Sequence, residues 1–400
     1  MREPQGRVDD AILDQARQQG DPLADAVIAT LYDSGQATTV GEVMALLAKS
    51  RGPSRLELPD ALREYLATSS ALPDVERERF AHGEAVFAQH APLILLVLGF
   101  YSLPSSYAAR NGVQVLHRTG YLRERPAMRV MDTTQMVVDM LRPGSLRRGG
   151  LGVHTAQRVR LIHAAVRHRL CSDVERPWPD AFGIPINQED MAGTLMTFSF
   201  LVLDGLAKLK VTLTERERED YLYAWVIIGR LLGVRGDLLP ANLHQAEALT
   251  RRIYQRQIGE SAEGKAMTRA LIQAMQGPGA GTWLDGVPAA LIRHFLHHDP
   301  FGGVDVAELL GVPRADWAAQ VVRAVIWARG ALPALTPESP AARRRLRTVS
   351  LLLVDGWLRL KRRGRLVPFE PSHTRAEPNG GGCPRGHQLS ARKLPASKPS

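Results

Sequence analysis

The chain has 400 residues, 44% of them hydrophobic, so it can bury a large core in the manner of an ordinary globular protein. The formal net charge is +10, but much of the positive charge lies in residues 341–365 and in the segment that follows, so a nucleic-acid function does not follow from it. The two cysteines, Cys171 and Cys383, exclude a disulfide framework and a four-thiolate metal site.

The N-terminus gives no sign of secretion. Its first residues lack the apolar segment of a signal peptide, and no uninterrupted apolar run reaches the ~20 residues that a membrane span requires. We therefore expect a cytoplasmic protein. Peripheral membrane contact through the basic helix near residues 341–365 stays open as an alternative.

The predicted elements are nearly all helical, and the chain divides into an extension, a main domain and a tail. Residues 1–55 contain two or three short helices that form an N-terminal extension. Gly52-Pro53-Ser54 breaks the chain before the main domain, residues 56–365. Inside that domain, the helix predicted over residues 80–101 ends at Ser102-Leu103-Pro104-Ser105-Ser106.

The next helix, over residues 127–141, carries two polar candidates for a site. Arg129 and Thr133 are four residues apart and share one helix face, and Met136 and Met140 continue an apolar lining nearby. These side chains could bring a few polar groups to a dry ligand pocket. A surface arginine and a helix-interior threonine are the alternative interpretation.

The most informative helix is predicted over residues 153–170, after Gly149-Gly150-Leu151-Gly152. One face carries His163 among apolar side chains, and Arg160 and Arg167 lie along the edge nearer to it. A buried face does not tolerate this much positive charge without an anion. A planar dianionic cofactor whose metal takes an imidazole, such as haem, would satisfy all three residues. The alternative is a core histidine bonded to the backbone, beside solvated arginines.

Downstream, residues 186–203 form a long apolar helix, and the capping box Thr214-x-x-Glu217 opens a helix that Gly233 can close. Strand-like alternation is rare, so the predicted fold is all-α. Residues 366–400 are rich in Pro, Gly, Ser, Lys and Arg and are expected to form a disordered basic tail. Further helices are predicted near residues 239–257, 262–276, 287–297, 304–311, 315–330 and 340–362.

The order and spacing of these motifs over about residues 80–330 resemble the family of rubber oxygenases (latex-clearing proteins) and MpaB-type oxygenases. No single motif is specific, but the ordered set is. The set comprises Arg129-x-x-x-Thr133, Gly149-Gly150-Leu151-Gly152, residues 159–167, residues 183–190 with Thr194 and Phe198, and then Trp225, Gly229 and Leu232-Gly233-Val234.

The resemblance implies an all-α, globin-like multi-helix bundle that encloses haem b. His163 would be the axial iron ligand, Arg160 and Arg167 would lie in the haem environment, and Arg129 and Thr133 would lie at the pocket. It also implies an oxygenase that uses dioxygen to oxidise or cleave a C=C bond of an apolar substrate, isoprenoid-like or lipid-like.

Two departures from the family pattern bear on the substrate. Rubber oxygenases have a lysine before the threonine, where this chain has Asp132, of opposite charge. Residues 112–116, which correspond to the stretch with a catalytic glutamate in rubber-cleaving members, contain no acid. We therefore expect a substrate other than rubber. Asp132 is a catalytic candidate, as a proton relay or a hydrogen-bond partner for substrate, with a solvated helix residue as the equal alternative.

Other functions compete with this interpretation. Residues 305–313, followed by a helix, resemble half of a helix-turn-helix, but Val321, Val325 and their neighbours favour a core-facing packing unit, so no nucleic-acid partner is expected. His294, His297, His298 and Asp299 have the spacing of a non-haem metal site or of helix caps. A protein of the same fold that binds haem for sensing, without the oxygenase chemistry, is a further alternative.

Overall fold

The computed structural model describes residues 9–48, 58–68, 74–119, 126–147, 149–276, 284–297, 303–331 and 339–361. Within these ranges the regular structure is helical, and the β contact found is an isolated bridge between Ala109 and Ile258. The all-α prediction is therefore confirmed. The predicted break at residues 52–54 and the predicted tail at 366–400 lie outside the described residues.

The helices of the N-terminal half are α1 Asp10–Arg17, α2 Pro22–Asp33, α3 Val40–Ala48, α4 Asp60–Thr68, α5 Asp74–Val97, α6 Leu103–Tyr107, α7 Val113–Arg118, α8 Pro126–Leu141 and α9 Leu151–Cys171. Those of the C-terminal half are α10 Gln188–Phe198, α11 Phe200–Lys208, α12 Glu215–Leu231, α13 Leu243–Gln257, α14 Ala262–Gln276, α15 Val287–Leu296, α16 Val306–Leu309, α17 Asp316–Ala331 and α18 Pro340–Lys361. One π-helical turn, Leu98–Ser102, joins α5 to α6.

Two predicted boundaries are wrong. The chain does not leave the helix at residues 102–106, because the π-helical turn carries it into α6, where Pro104 occupies the first turn and needs no amide hydrogen bond. The helix predicted over residues 186–203 is interrupted at the buried Ser199 (φ −107°, ψ −78°), whose hydroxyl donates to the carbonyl of Leu195 at 2.8 Å.

The main core surrounds α5, α10, α11 and α12. Gly83 on α5 lets α12 approach closely, since a Cβ there would lie 2.5 Å from the carbonyl oxygen of Asp220. The capping box predicted at Thr214 and Glu217 opens α12, which brings the buried Trp225 against Phe198 at 5.2 Å between ring centroids. Helix α18 packs on another side of α5.

Helix α9 lies between this core and a second one. Val153, Ala156 and Val159 belong to the main core. Leu161, Ala164 and Ala165 belong to the second cluster, which α2, α3 and α4 complete. The predicted N-terminal helices are found at residues 10–48, and two of them, α2 and α3, cover one side of the helix that carries His163.

Among the described residues, two helical stretches are long and apolar enough to cross a membrane, by length and composition alone. They are Glu76–Tyr107 and Gln188–Lys208. The most apolar windows of these stretches are 56% and 72% buried inside the protein, respectively. Their burial is that of core helices, so length and hydropathy here carry little evidence for a membrane span.

Candidate functional site

The loop between α8 and α9 ties together the two helices that carry the candidate residues. The carboxylate of Glu84, from α5, accepts hydrogen bonds from the backbone N–H groups of Gly144 (3.0 Å) and Ser145 (3.1 Å). Gly150 precedes α9, and a Cβ on it would lie 2.2 Å from the carbonyl oxygen of Ser145, so no larger residue fits. The start of α9 is therefore fixed by a buried carboxylate and a glycine.

His163 lies near the middle of α9 and is held neutral. Burial, followed by the charges of Arg167 and Arg129, lowers the pKa of His163 to about 4. Its Nδ1 atom is buried and has no hydrogen-bond partner among the described residues, yet the side chain keeps partial exposure. The ring is therefore desolvated without being fully enclosed by its neighbours. A neutral imidazole is also the form that binds a metal.

Helix α8 brings the second group of candidates to the same region. The positive charge of Arg129 lowers the pKa of His163, and it also acts on the phenol of the buried Tyr107, whose pKa burial raises to about 12. The structure therefore places Arg129 within electrostatic reach of both rings. Sequence reasoning missed Tyr107, because a tyrosine in a short helix carries no motif.

Asp132 and Thr133 follow Arg129 on α8. Asp132 is 7% exposed, which excludes the interpretation of this residue as a solvated helix position. Thr133 keeps partial exposure. Asp132 is therefore a buried carboxylate on the same helix as Arg129, and its catalytic role stays a prediction.

Arg160 and Arg167 find their anions within the protein. Arg160 forms an ion pair with Asp21, including an Nη2–Oδ1 contact of 2.8 Å. Arg167 forms an ion pair with Asp25 and donates to the carbonyl of Pro185 at 3.0 Å. The buried positive charge that led to the prediction of an anionic cofactor is thus balanced by two carboxylates, from Asp21 at the N-cap of α2 and from Asp25 in its first turn. A place for these arginines in the haem environment stays a prediction.

Two residues of the sequence motifs, Gly233 and Ile186, have unusual backbone conformations and lie against these arginines. Gly233 has φ +84° after the end of α12, and a Cβ on it would lie 2.6 Å from Nε of Arg160, so the predicted closing role is combined with a close approach. Ile186 has φ 52°, a rare conformation for a β-branched residue. Its carbonyl accepts from Nη2 of Arg167 at 2.9 Å.

A buried polar network, which the sequence showed only as part of a motif, ties α1 and α13 to the start of α10. Glu189 is fully buried and accepts from Arg17 (2.9 Å), Arg256 (2.8 Å) and Gln257 (3.0 Å). Burial raises the pKa of its neighbour Asp190 to about 6, although the charge of Arg17 opposes the shift. The signal available in the sequence was an acid pair at the start of an apolar helix.

The rival metal site is only partly within the described residues. Nδ1 of His297 lies 3.1 Å from Asp305, which caps α16, and His298 and Asp299 lie outside the described ranges. Among the residues that the structure describes, no group of three or more His, Cys, Asp or Glu side chains could hold a metal ion.

The segment that resembles half of a helix-turn-helix is followed by α17, and only one face of α17 packs against the rest of the described protein. In α17, Ala318, Val322 and Ile326 are buried as predicted, and the helix packs against α15. The prediction that Val321 and Val325 face the core is wrong, because they are 44% and 62% exposed. Apolar residues occupy both faces of this helix, so helical periodicity alone did not distinguish them.

The all-α bundle with a central histidine helix has counterparts among known proteins. Residues 77–329 match the model of the family described as "ER-bound oxygenase mpaB/B'/Rubber oxygenase, catalytic domain". The chain therefore belongs to this family.

A rubber oxygenase from Streptomyces sp. (strain K30) is 25% identical to this chain over 300 residues, which span 74% of this chain and 71% of the relative. A solved structure of latex clearing protein in the closed state matches with a TM-score of 0.65 at 23% identity, over 85% of this chain and 91% of that one. The structural likeness confirms the all-α, multi-helix fold that the resemblance implied.

Proposed function

We propose that the protein is a haem b-dependent oxygenase that uses dioxygen to oxidise or cleave a C=C bond of an apolar, isoprenoid-like or lipid-like substrate. Membership of the family supports an oxygenase as the class of enzyme. The observation that carries the haem assignment is the desolvated, neutral imidazole of His163, whose buried Nδ1 lacks a partner among the described residues. Such a ring recovers free energy when a bound group completes its surroundings.

The residues around His163 are of the kind that would hold a haem group through an imidazole. His163 would hold the iron, and the depressed pKa means that protons do not compete for the ring near neutral pH. Bound haem would supply the chemistry of dioxygen activation. The ion pairs of Arg160 with Asp21 and of Arg167 with Asp25 fix α9 on both sides of the histidine, and so orient the ring.

The residues of α8 would act on the substrate side. Arg129 contributes a positive charge near the imidazole, and Thr133 offers a hydroxyl on the same helix face. We propose that the buried Asp132 holds a proton or accepts a hydrogen bond from a polar group of the substrate. Because rubber oxygenases have a lysine here, this chain would take a substrate other than rubber.

The test is an absorption spectrum of the protein expressed with haem available. We expect a Soret band in the wild type and its loss or shift in His163→Ala. The matched control is His168→Ala on the same helix, because the His168 ring packs against Tyr32 of α2 at 4.4 Å between centroids. That variant should keep the wild-type spectrum.

The outcomes separate the alternatives. A wild type without Soret absorbance contradicts the haem proposal, and an unchanged band in His163→Ala contradicts the ligand assignment alone. A wild type that binds haem but consumes no dioxygen with any isoprenoid or unsaturated lipid offered would favour a haem-binding or sensor protein of the same fold. Oxygen uptake by Asp132→Asn, compared with the wild type, tests the substrate-side role.

A further inference from the structure

Helix α18 is apolar on two opposite faces. Ser350, Val354 and Leu358 are buried on the side that packs against α5. The outward side carries Val349, Leu352, Leu353 and Leu360, which are 52%, 62%, 61% and 78% exposed, and Trp357 at the edge is 38% exposed. A surface helix normally turns polar residues outward, so this second apolar face requires a partner.

The charges of α18 lie at the ends of that apolar face. Arg343, Arg344, Arg345 and Arg347 fall in the first turns, and Arg359 and Lys361 fall in the last turn. The helix contains one acid, Asp355, which is 17% exposed and forms an ion pair with Arg142 of the loop after α8. No acidic side chain of α18 therefore faces outward to repel an anionic partner.

We propose that the outward face of α18 docks on the surface of an anionic lipid bilayer, with the helix parallel to the membrane plane. Leucine side chains would enter the boundary of the acyl chains, and the terminal arginines would meet lipid phosphates. The helix is about 33 Å long at 1.5 Å per residue. One face is packed on α5 and both ends are charged, so α18 lies on the membrane and does not span it.

The charges of α18 disfavour two other possible partners for this face, a second copy of the chain and the segment after the helix. In a symmetric dimer the same patch would meet itself, so the basic ends of one α18 would lie against basic ends of the other. The segment after the helix, residues 366–400, contains two acids and many basic residues, so it does not complement the patch either. Anionic lipid supplies both the apolar layer and the negative charge.

The experiment is co-sedimentation of the full chain with vesicles of phosphatidylcholine alone and of phosphatidylcholine mixed with phosphatidylglycerol. We expect binding to the mixed vesicles that weakens as salt is raised. Leu352→Asp with Leu360→Asp should lower the partition coefficient by roughly tenfold or more. Arg344→Gln with Arg345→Gln should lower it by roughly 25-fold, at about fivefold for each arginine.

The matched control is Val174→Asp, which changes an apolar side chain that is 80% exposed, in the loop after α9. This variant should bind vesicles as the wild type does. The proposal is overturned if the wild type does not sediment with the mixed vesicles, or if Val174→Asp weakens binding as much as the leucine pair.

Retention of full binding by both α18 variants also overturns the proposal, because another part of the chain would then be the contact. Light scattering tests the second copy as occupant. If the wild type does not bind vesicles but forms a dimer, and the leucine variant is monomeric, the outward face of α18 is a dimer interface and not a lipid-binding surface. The arginine pair is exposed and keeps the test valid if the leucine variant does not fold. The vesicle assay needs no haem, so its result is independent of the proposed oxygenase function.

Discussion

Helices α9 and α18 are both long, apolar and rich in arginine, but they use the arginines in opposite ways. In α9, Arg160 and Arg167 are largely buried and pair with Asp21 and Asp25 at the start of α2. In α18, Arg344 and Arg345 are exposed at one end of an outward apolar face. Carboxylates from distant segments of the chain, and not the helix itself, therefore decide whether the arginines of a helix are buried in ion pairs or exposed.

The largest effect is expected from Arg167→Ala. The variant leaves the carboxylate of Asp25 and the carbonyls of Pro185 and Ile186 without their donor. Removal of one partner from a buried pair costs about 3–5 kcal/mol. Because Asp25 is partly exposed, we expect the free energy of unfolding to fall by about 3 kcal/mol. Urea unfolding monitored by circular dichroism measures it. A loss below about 1 kcal/mol would place Arg167 in the same class as the arginines of α18.

Two glycines, Gly150 just before α9 and Gly356 within α18, have opposite steric surroundings. Gly150→Ala puts a Cβ 2.2 Å from the carbonyl oxygen of Ser145, so the start of α9 must shift, and we expect a loss of about 2–3 kcal/mol. Gly356 lies inside α18, and among the described residues no heavy atom of a neighbour lies within 4 Å of the position that a Cβ would occupy there. Gly356→Ala should therefore stabilise the protein by about 0.5–1 kcal/mol. Thermal unfolding of the two variants checks the opposite signs, and equal signs would contradict the packing described for α9.

The contribution of His163 to the free energy of unfolding depends on pH. Its folded-state pKa of about 4 lies below the ordinary value of 6.5. The unfolded chain therefore binds the proton more readily, so the stability from a neutral His163 is complete above pH 6.5 and is lost as the pH falls toward 4.

His163→Phe, in protein prepared without haem, should remove this dependence. Between pH 6.5 and pH 4 we expect the free energy of unfolding of the wild type to fall by about 2–3 kcal/mol relative to the variant, because a pKa difference of one corresponds to about 1.36 kcal/mol. Unfolding by urea at several pH values gives the difference. Asp190 acts in the opposite direction, since its raised pKa of about 6 makes its protonation favour the folded state, and it is present in both proteins. Parallel curves would mean that His163 is solvated.

The helices of the site were predictable from the sequence, whereas the partners of their charged residues were not. The apolar periodicity and the capping residues that predicted α8, α9 and α12 are local features of the sequence, and all three helices are present in the fold. The carboxylates that pair with the arginines of α9 lie 139 and 142 residues away in the chain, so no local pattern could select them.

The burial of individual side chains also could not be predicted from the sequence. Asp132 and Val325 both lie on helices with apolar residues on several sides, and only the packed neighbours decide that the first is buried and the second exposed. The motif order did predict that α8 and α9 carry the candidates together. The charge of Arg129 acting on His163 agrees with that prediction.

The smallest effect on stability is expected from Arg345→Ala, the counterpart of Arg167→Ala. Arg345 is exposed on α18, and surface substitutions of this kind change the free energy of unfolding by less than about 0.5 kcal/mol. The same substitution should nevertheless weaken binding to anionic vesicles about fivefold. Arg167→Ala should do the reverse, with a large loss of stability and unchanged vesicle binding at temperatures where it stays folded. If Arg345→Ala destabilised the fold as strongly, its charge would be satisfied within the protein, and the contrast between the two helices would fail.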